Sequence, residues 1–230
     1  MKQLIKTAVH VTVFGIAMGF LETAVVVYLR ELYYPEGFSF PLKTMPGHII
    51  ITELLRELAT IIMLAYVGIL GGKNFNQRFA FFLLSFAVWD LFYYVFLKVL
   101  LNWPLSVFEW DVLFLIPAPW VGPVLAPCIV SASMILFAVI LLYKETIASM
   151  RIRVSDWLVL IAISILYVFS FTKDQFDTLC VASGSIINMT HVYVPTSFNW
   201  YLFAVPFLLF CLWLVGFANR KQAVNPSFST

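Results

Sequence analysis

The 230-residue chain is 62% hydrophobic, 17% aromatic and only 11% charged, with a mean hydropathy of +0.95. Soluble domains carry roughly 25% charged residues, so this chain lacks the polar surface to face water all round and suits a hydrocarbon solvent instead. A net charge of +2 is too small and too scattered for a nucleic-acid footprint, and three cysteines (Cys128 and Cys211 in apolar stretches, Cys180 between them in a polar one) indicate neither a disulfide framework nor a thiolate metal site.

From the N-terminus, Met1 to Lys6 is followed by an apolar run to about Leu29 without a small-x-small cleavage site, which predicts a retained first helix rather than a signal peptide. A spanning helix needs about 20 mostly apolar residues. Six stretches qualify, at about 9–30, 48–70, 78–101, 119–143, 156–172 and 199–218. The expectation is an all-α, polytopic membrane protein: a six-transmembrane-helix bundle forming a single domain over residues 1–230. The fifth stretch is the shortest, with room to extend at either end, and a polar loop is expected from Lys173 to Asn199. Val112 to Trp120 is too short to span and reads as an interfacial or re-entrant segment before the fourth span.

Orientation follows from the Lys and Arg residues near the span ends. Lys2, Lys6, Lys73, Arg78, Lys144, Arg151, Arg153, Arg220 and Lys221 fall on one side; Arg30, Lys43, Lys98 and Lys173 fall on the other, with Arg56 inside a span. This puts both termini in the cytoplasm and the chain in the plasma (inner) membrane as a multi-pass protein. No pairing of the two halves as an internal repeat is visible.

The second span carries the densest signal. Thr52, Glu53, Arg56, Glu57 and Thr60 fall within roughly 140° of a helical wheel, opposite Ile and Leu. Lipid cannot solvate such a stripe, and each ionised residue at mid-bilayer costs about 2.5–3.5 kcal/mol on the insertion scale. In the first span Gly15, Gly19, Glu22, Val26 and Arg30 share a face, and the Gly15–Gly19 pair favours close helix approach. The third span adds Asp90, Tyr93, Tyr94 and Lys98, with Trp89 turned partly away. At about 1.5 Å per residue, Glu22, Glu57 and Asp90 lie ~12–16 Å below the outer ends of their spans, so the three acids converge. Glu53, His48, Arg30 and Lys98 lie above them, and Glu109 and Asp111 follow in the next loop.

Glu22, Glu53, Glu57 and Asp90 are the expected catalytic acids. Arg30, Arg56, Tyr94, Lys98 and Asp111 are the expected substrate-binding residues. Internal neutralisation is the structural alternative, Glu22 or Glu53 with Arg56 and Asp90 with Lys98, but buried acids then outnumber the buried base Arg56. The surplus calls for protons, a divalent cation as cofactor, or a cationic group. Glu53 and Glu57, at i and i+4, are metal-ligand candidates with His48, which lies about 140° around the helix from Glu53.

Other signals are sparser. Ala182 to Ser185 with His191 resembles a hydrolase site only superficially, Asn188-Met-Thr190 fits a glycosylation sequon, and Pro123 and Pro127 predict kinks beside Ser131. Three function classes follow: an enzyme or binding protein for a membrane lipid or isoprenoid-like substrate; an accessory subunit whose charges pair internally or with a membrane-protein partner; or a proton, cation or small-solute transporter. The charges stop about halfway through the bilayer, which favours the first class over a through-path. Cysteine labelling is expected to place positions near Gly72 and Met150 and the C-terminus in the cytoplasm, and those near Gly37, Ser106 and Ser183 outside. A C-terminus labelled from outside would overturn the six-span reading.

Overall fold

The computed structural model describes residues 1–116, 118–147, 152–182 and 194–220, with side chains described to residue 174 in the third of these. Arg151, Lys221, the side chain of Cys180, the Ser183–Ser185 run with His191, and the Asn188 sequon lie outside the described residues. The elements are α1 (Lys2–Tyr33), α2 (Gly47–Gly71), α3 (Phe75–Leu101), β1 (Trp110–Phe114), β2 (Trp120–Pro123), α4 (Leu125–Ile147), α5 (Val154–Ala182) and α6 (Trp200–Asn219). All six helices are long and apolar enough to cross a membrane. Their outward faces agree: on α2, Ile51, Leu55, Leu58 and Ile62 form an exposed apolar stripe behind the polar one.

Helix α3 is the centre of the bundle and touches α1, α2 and α4. Its most apolar window is 61% buried, against 22–28% for the other five helices. The Asn74 side chain caps it by accepting from the Gln77 N–H at 3.0 Å, and it ends at Asn102 in the left-handed region (φ 52°). Glycines let its neighbours approach. A Cβ on Gly19 would lie 3.0 Å from the Trp89 carbonyl, and one on Gly68 only 2.7 Å from backbone atoms of Arg78 and Phe82. The Gly15–Gly19 face of α1 therefore packs on α3, which turns Glu22 and Arg30 inward.

The segment between α3 and α4 departs from the expected span boundary. Trp110 to Phe114 and Trp120 to Pro123 pair antiparallel, with Asp111 opposite Gly122 and a bulge between Val112 and Phe114. The fourth helix starts at Leu125 rather than near residue 119 because the preceding residues are committed to this hairpin. Pro123 ends the strand and Pro127 falls in the first turn of α4, where a missing N–H costs nothing, so neither kinks the helix. The hairpin folds back between the helices rather than over their ends. Phe114 stacks on Phe86 of α3 (6.0 Å, 13°) and Trp120 on Phe171 of α5 (6.1 Å, 14°). The fifth helix runs to Ala182, through the first part of the expected polar loop.

At the end of the bundle away from the hairpin, polar pairs close the helix termini. Asp156 accepts two hydrogen bonds from Arg220, at 2.7 and 2.8 Å, and one from Trp213 Nε1 at 3.2 Å. Glu145 accepts from Asn74 and Asn76 at 2.8 and 2.6 Å. Between these pairs and the hairpin lies a core of Phe81, Leu84, Phe137, Leu141 and Phe217.

The α2–α3 contact sets a prediction. Gly68→Ala forces backbone against backbone and is expected to destabilise by about 1–3 kcal/mol or more. Gly216 of α6 has nothing within 4 Å of its would-be Cβ, and Gly216→Ala should leave stability unchanged or raise it by up to ~1 kcal/mol. Thermal unfolding in detergent compares the two; equal tolerance would mean that α2 does not pack through Gly68.

Candidate functional site

The inward faces of α1, α2 and α3, the hairpin and the segment after α1 enclose a cavity of about 210 Å³. Glu22 and Arg30 reach it from α1, Glu53, Arg56 and Glu57 from α2, Asp90 and Tyr94 from α3, and Asp111 from β1. The convergence expected from helical spacing is thus present, because α1 and α3 run in one direction and α2 in the other.

The polar groups form layers. Lowest, Arg56 donates through Nη1 to Glu22 Oε1 and through Nε to Glu53 Oε2 (2.8 Å), while Thr60 Oγ1 donates to Glu22 Oε2 at 3.4 Å. Beneath this layer, Met18, Leu64 and Trp89 form an apolar cluster. To one side, Asp90 Oδ2 accepts from Ser131 Oγ of α4 at 2.7 Å. Highest, Arg30 Nη2 lies 3.5 Å from Asp111 Oδ1, and its guanidinium is stacked between Trp103 (3.9 Å) and Phe38 (4.6 Å). The segment after α1 is held over the cavity by the Lys43 backbone N–H, which donates to Tyr34 Oη at 2.7 Å.

Glu57 has a different role from the other acids. Among the described residues it pairs with no side chain. Its two carboxylate oxygens accept the Leu115 N–H at 2.9 and 3.1 Å and the Ile116 N–H at 3.0 Å. Charge-assisted bonds of this kind hold the hairpin tip against the middle of α2.

Asp111 is the most enclosed acid of the cavity, at 3% exposure. Arg30, the Val112 N–H and the Tyr94 and Tyr93 hydroxyls all act on its carboxyl group. Its Oδ2 has no hydrogen-bond partner of normal geometry, and neither has the buried Nε1 of Trp89.

Three expectations are corrected. Lys98 is exposed and donates to the carbonyls of Asn102 (3.4 Å) and Pro104 (3.0 Å), so it neutralises the C-terminus of α3 instead of lining the cavity or pairing with Asp90. His48 is exposed on the first turn of α2 and does not join Glu53 and Glu57; among the described residues no three His, Cys, Asp or Glu side chains are grouped to hold a metal ion. Glu109 accepts from the Leu105 and Ser106 N–H groups at 2.8 and 3.3 Å and stabilises a turn, leaving Asp111 alone to close the cavity. Trp89, expected to turn partly away, lines the wall. Arg30 is the buried base of the cavity, whereas Arg56, expected to be buried, is half-buried. Tyr34, Phe38, Lys43 and Trp103 were not legible as site residues, because only the chain's fold-back over Arg30 gives them a place there.

Comparison of the chain with protein-family models, curated proteins and solved structures returns no match.

The layers predict distinct mutational signatures. Arg56→Gln alone leaves Glu22 and Glu53 without their partner and should cost about 3–5 kcal/mol; adding Glu22→Gln and Glu53→Gln should recover most of that loss. Glu57→Ala orphans two N–H groups and should cost about 1–3 kcal/mol for each. It should also raise amide exchange at Leu115 and Ile116, an effect Arg56→Gln should not produce. Exchange mass spectrometry with thermal unfolding reads both; unchanged exchange in Glu57→Ala would remove Glu57 as the hairpin anchor.

Proposed function

We propose that this chain is a multi-pass protein of the plasma (inner) membrane that binds a small amphiphile, of lipid or isoprenoid type, as an enzyme or a binding protein. The six apolar helices and the Lys and Arg asymmetry support this orientation, with both termini cytoplasmic, the cavity in the outer half of the bilayer and the hairpin as a re-entrant segment. The observation that carries the reading is the composition of the cavity wall. Val26 and Leu29 of α1 and Met45 and Ile50 at the start of α2 offer an aliphatic side, directly beside Asp90, Tyr94 and Asp111. An apolar pocket with a few convergent polar groups is what a ligand with one polar end requires.

Geometry also sorts the expected catalytic acids. Glu22 and Glu53 are committed to Arg56, and Glu57 to the hairpin. Among the described residues Asp90 and Asp111 each keep an oxygen without a well-formed hydrogen bond, which makes them the acids to take part in chemistry or recognition. The apolar cluster of Met18, Leu64 and Trp89 beneath the cavity weighs against a path to the other side. Internal pairing of Arg56 is the observation that favours an assembly subunit as the second reading.

Filling the cavity tests the proposal. Leu29→Trp is expected to keep wild-type insertion and thermal stability within about 1 kcal/mol, a change smaller than core overpacking. Protein taken from membrane in polymer-bounded discs should carry an amphiphile, detected by mass spectrometry, that Leu29→Trp lacks. The same lipids in the same ratio in both would count against a ligand site and favour the assembly reading.

A further inference from the structure

We infer that the ligand's polar end is cationic, an alkylammonium or quaternary ammonium group received between Asp111 and Asp90. This rests on the amphiphile reading and adds to it the sign of the head group.

The charges around the cavity point one way. Five carboxylates line it against three cationic side chains, and the bases are already engaged. Arg56 is held by Glu22 and Glu53. Arg30 is stacked between two rings and paired with Asp111 Oδ1. Lys43 is exposed, with its Nζ 5.5 Å from the centre of the Tyr34 ring. An anionic head group would have to break one of the two arginine arrangements or settle for a solvated lysine. A cation meets the opposite situation. Among the described residues Asp111 Oδ2 is buried with no well-formed hydrogen bond, the Tyr93 and Tyr94 hydroxyls being its nearby donors, and Asp90 Oδ1 makes none. A surplus of enclosed carboxylate needs a positive counterpart, and a ligand that supplies it avoids the cost of leaving a buried charge unmatched.

Aromatic faces supply the second argument. Tyr34, Phe38, Trp89, Tyr93 and Tyr94 all line the same cavity. Rings around a carboxylate are the recognition chemistry of ammonium groups, since each face attracts a cation and none attracts an anion. Phe38 already serves a cation in this way, at 4.6 Å from the Arg30 guanidinium.

The test uses four probes of equal chain length with the full protein in neutral maltoside micelles: octyltrimethylammonium, octylammonium, octanol and octyl phosphate. Tryptophan fluorescence titration and the shift of the unfolding midpoint read binding. The two ammonium probes are expected to saturate at concentrations at least tenfold below those of octanol and octyl phosphate. Asp111→Asn and Asp90→Asn should each weaken ammonium binding about tenfold, the loss expected for a charge-assisted contact, and leave octanol binding as it was. Asp111→Asn also removes the partner of Arg30, so Asp90→Asn, whose carbonyl still accepts from Ser131, decides where the first variant unfolds early. Octanol binding as tightly as the ammonium probes, with no effect of either variant, would overturn the cationic assignment and leave the amphiphile cavity standing. Tighter binding of octyl phosphate would reverse the sign. Failure of all four probes to saturate would overturn the cavity reading with it.

Discussion

Two backbone N–H groups, those of Leu115 and Ile116, end on the carboxylate of Glu57, and the upper half of the molecule is arranged around that fact. Glu57 lies ten residues into α2, about 15 Å from its start at 1.5 Å per residue. Non-helical backbone packed among apolar helices needs partners, because each orphaned group costs free energy of the order of a lost hydrogen bond. The strands satisfy one another along their length. At the tip, where the chain reverses and pairing ends, a carboxylate takes their place. An ionised acceptor costs more to bury than an amide, but it binds two N–H groups at once and more strongly than neutral acceptors do.

With the hairpin held there, the remaining charges acquire separate duties. The Arg56 pair with Glu22 and Glu53 joins α1 to α2, helices that otherwise share few contacts, and so sets the width of the cavity. Arg30 joins three separate pieces of chain: β1 through Asp111, the segment after α1 through Phe38, and the turn after α3 through Trp103. Asp90 joins α3 to α4 through Ser131. Buried ion pairs contribute little net stability compared with well-packed apolar groups, but they penalise every arrangement in which they are broken. Their yield here is one defined geometry around an opening that apolar packing alone would have closed.

Six helices and their approximate limits were legible because a spanning helix imposes a length and an apolar composition that few other structures share. Convergence of Glu22, Glu53, Arg56, Glu57 and Asp90 was legible for a related reason: the spacing of 3.6 residues and alternating helix direction fix both azimuth and depth. What each acid binds was not. Glu57 and Glu53 sit four residues apart on one stripe, yet one meets a guanidinium and the other meets backbone, and only the hairpin decides between them. The hairpin itself was hidden, since Trp110 to Pro123 is apolar, aromatic and broken by prolines, and two strands of five and four residues that are apolar on both faces have no alternation to show. Lys98 misled because it shares a helical face with Asp90 and Tyr94, although at the last turn its ammonium meets the carbonyls of Asn102 and Pro104, just past the end of α3.

Cavity and hairpin are consequently one mechanical unit. Asp111 stands on β1, so its position relative to Asp90 depends on where the strand is held, and that is fixed at one end by Glu57 and at the other by Arg30. A ligand placed between Asp111 and Asp90 would touch β1 and α3 together, and its affinity would include the free energy of keeping the hairpin seated. Any change that loosens the Glu57 anchor should then act on binding through the seat of the hairpin as well as through the cavity wall. The coupling is reciprocal by thermodynamic necessity: whatever stabilises Asp111 against α3 also protects the Leu115 and Ile116 hydrogen bonds. A charged residue ten positions into a helix, bonded to the hairpin backbone and to neither aspartate, thereby becomes a positioning residue for Asp111, and its place on the stripe of acids is explained by the backbone it holds.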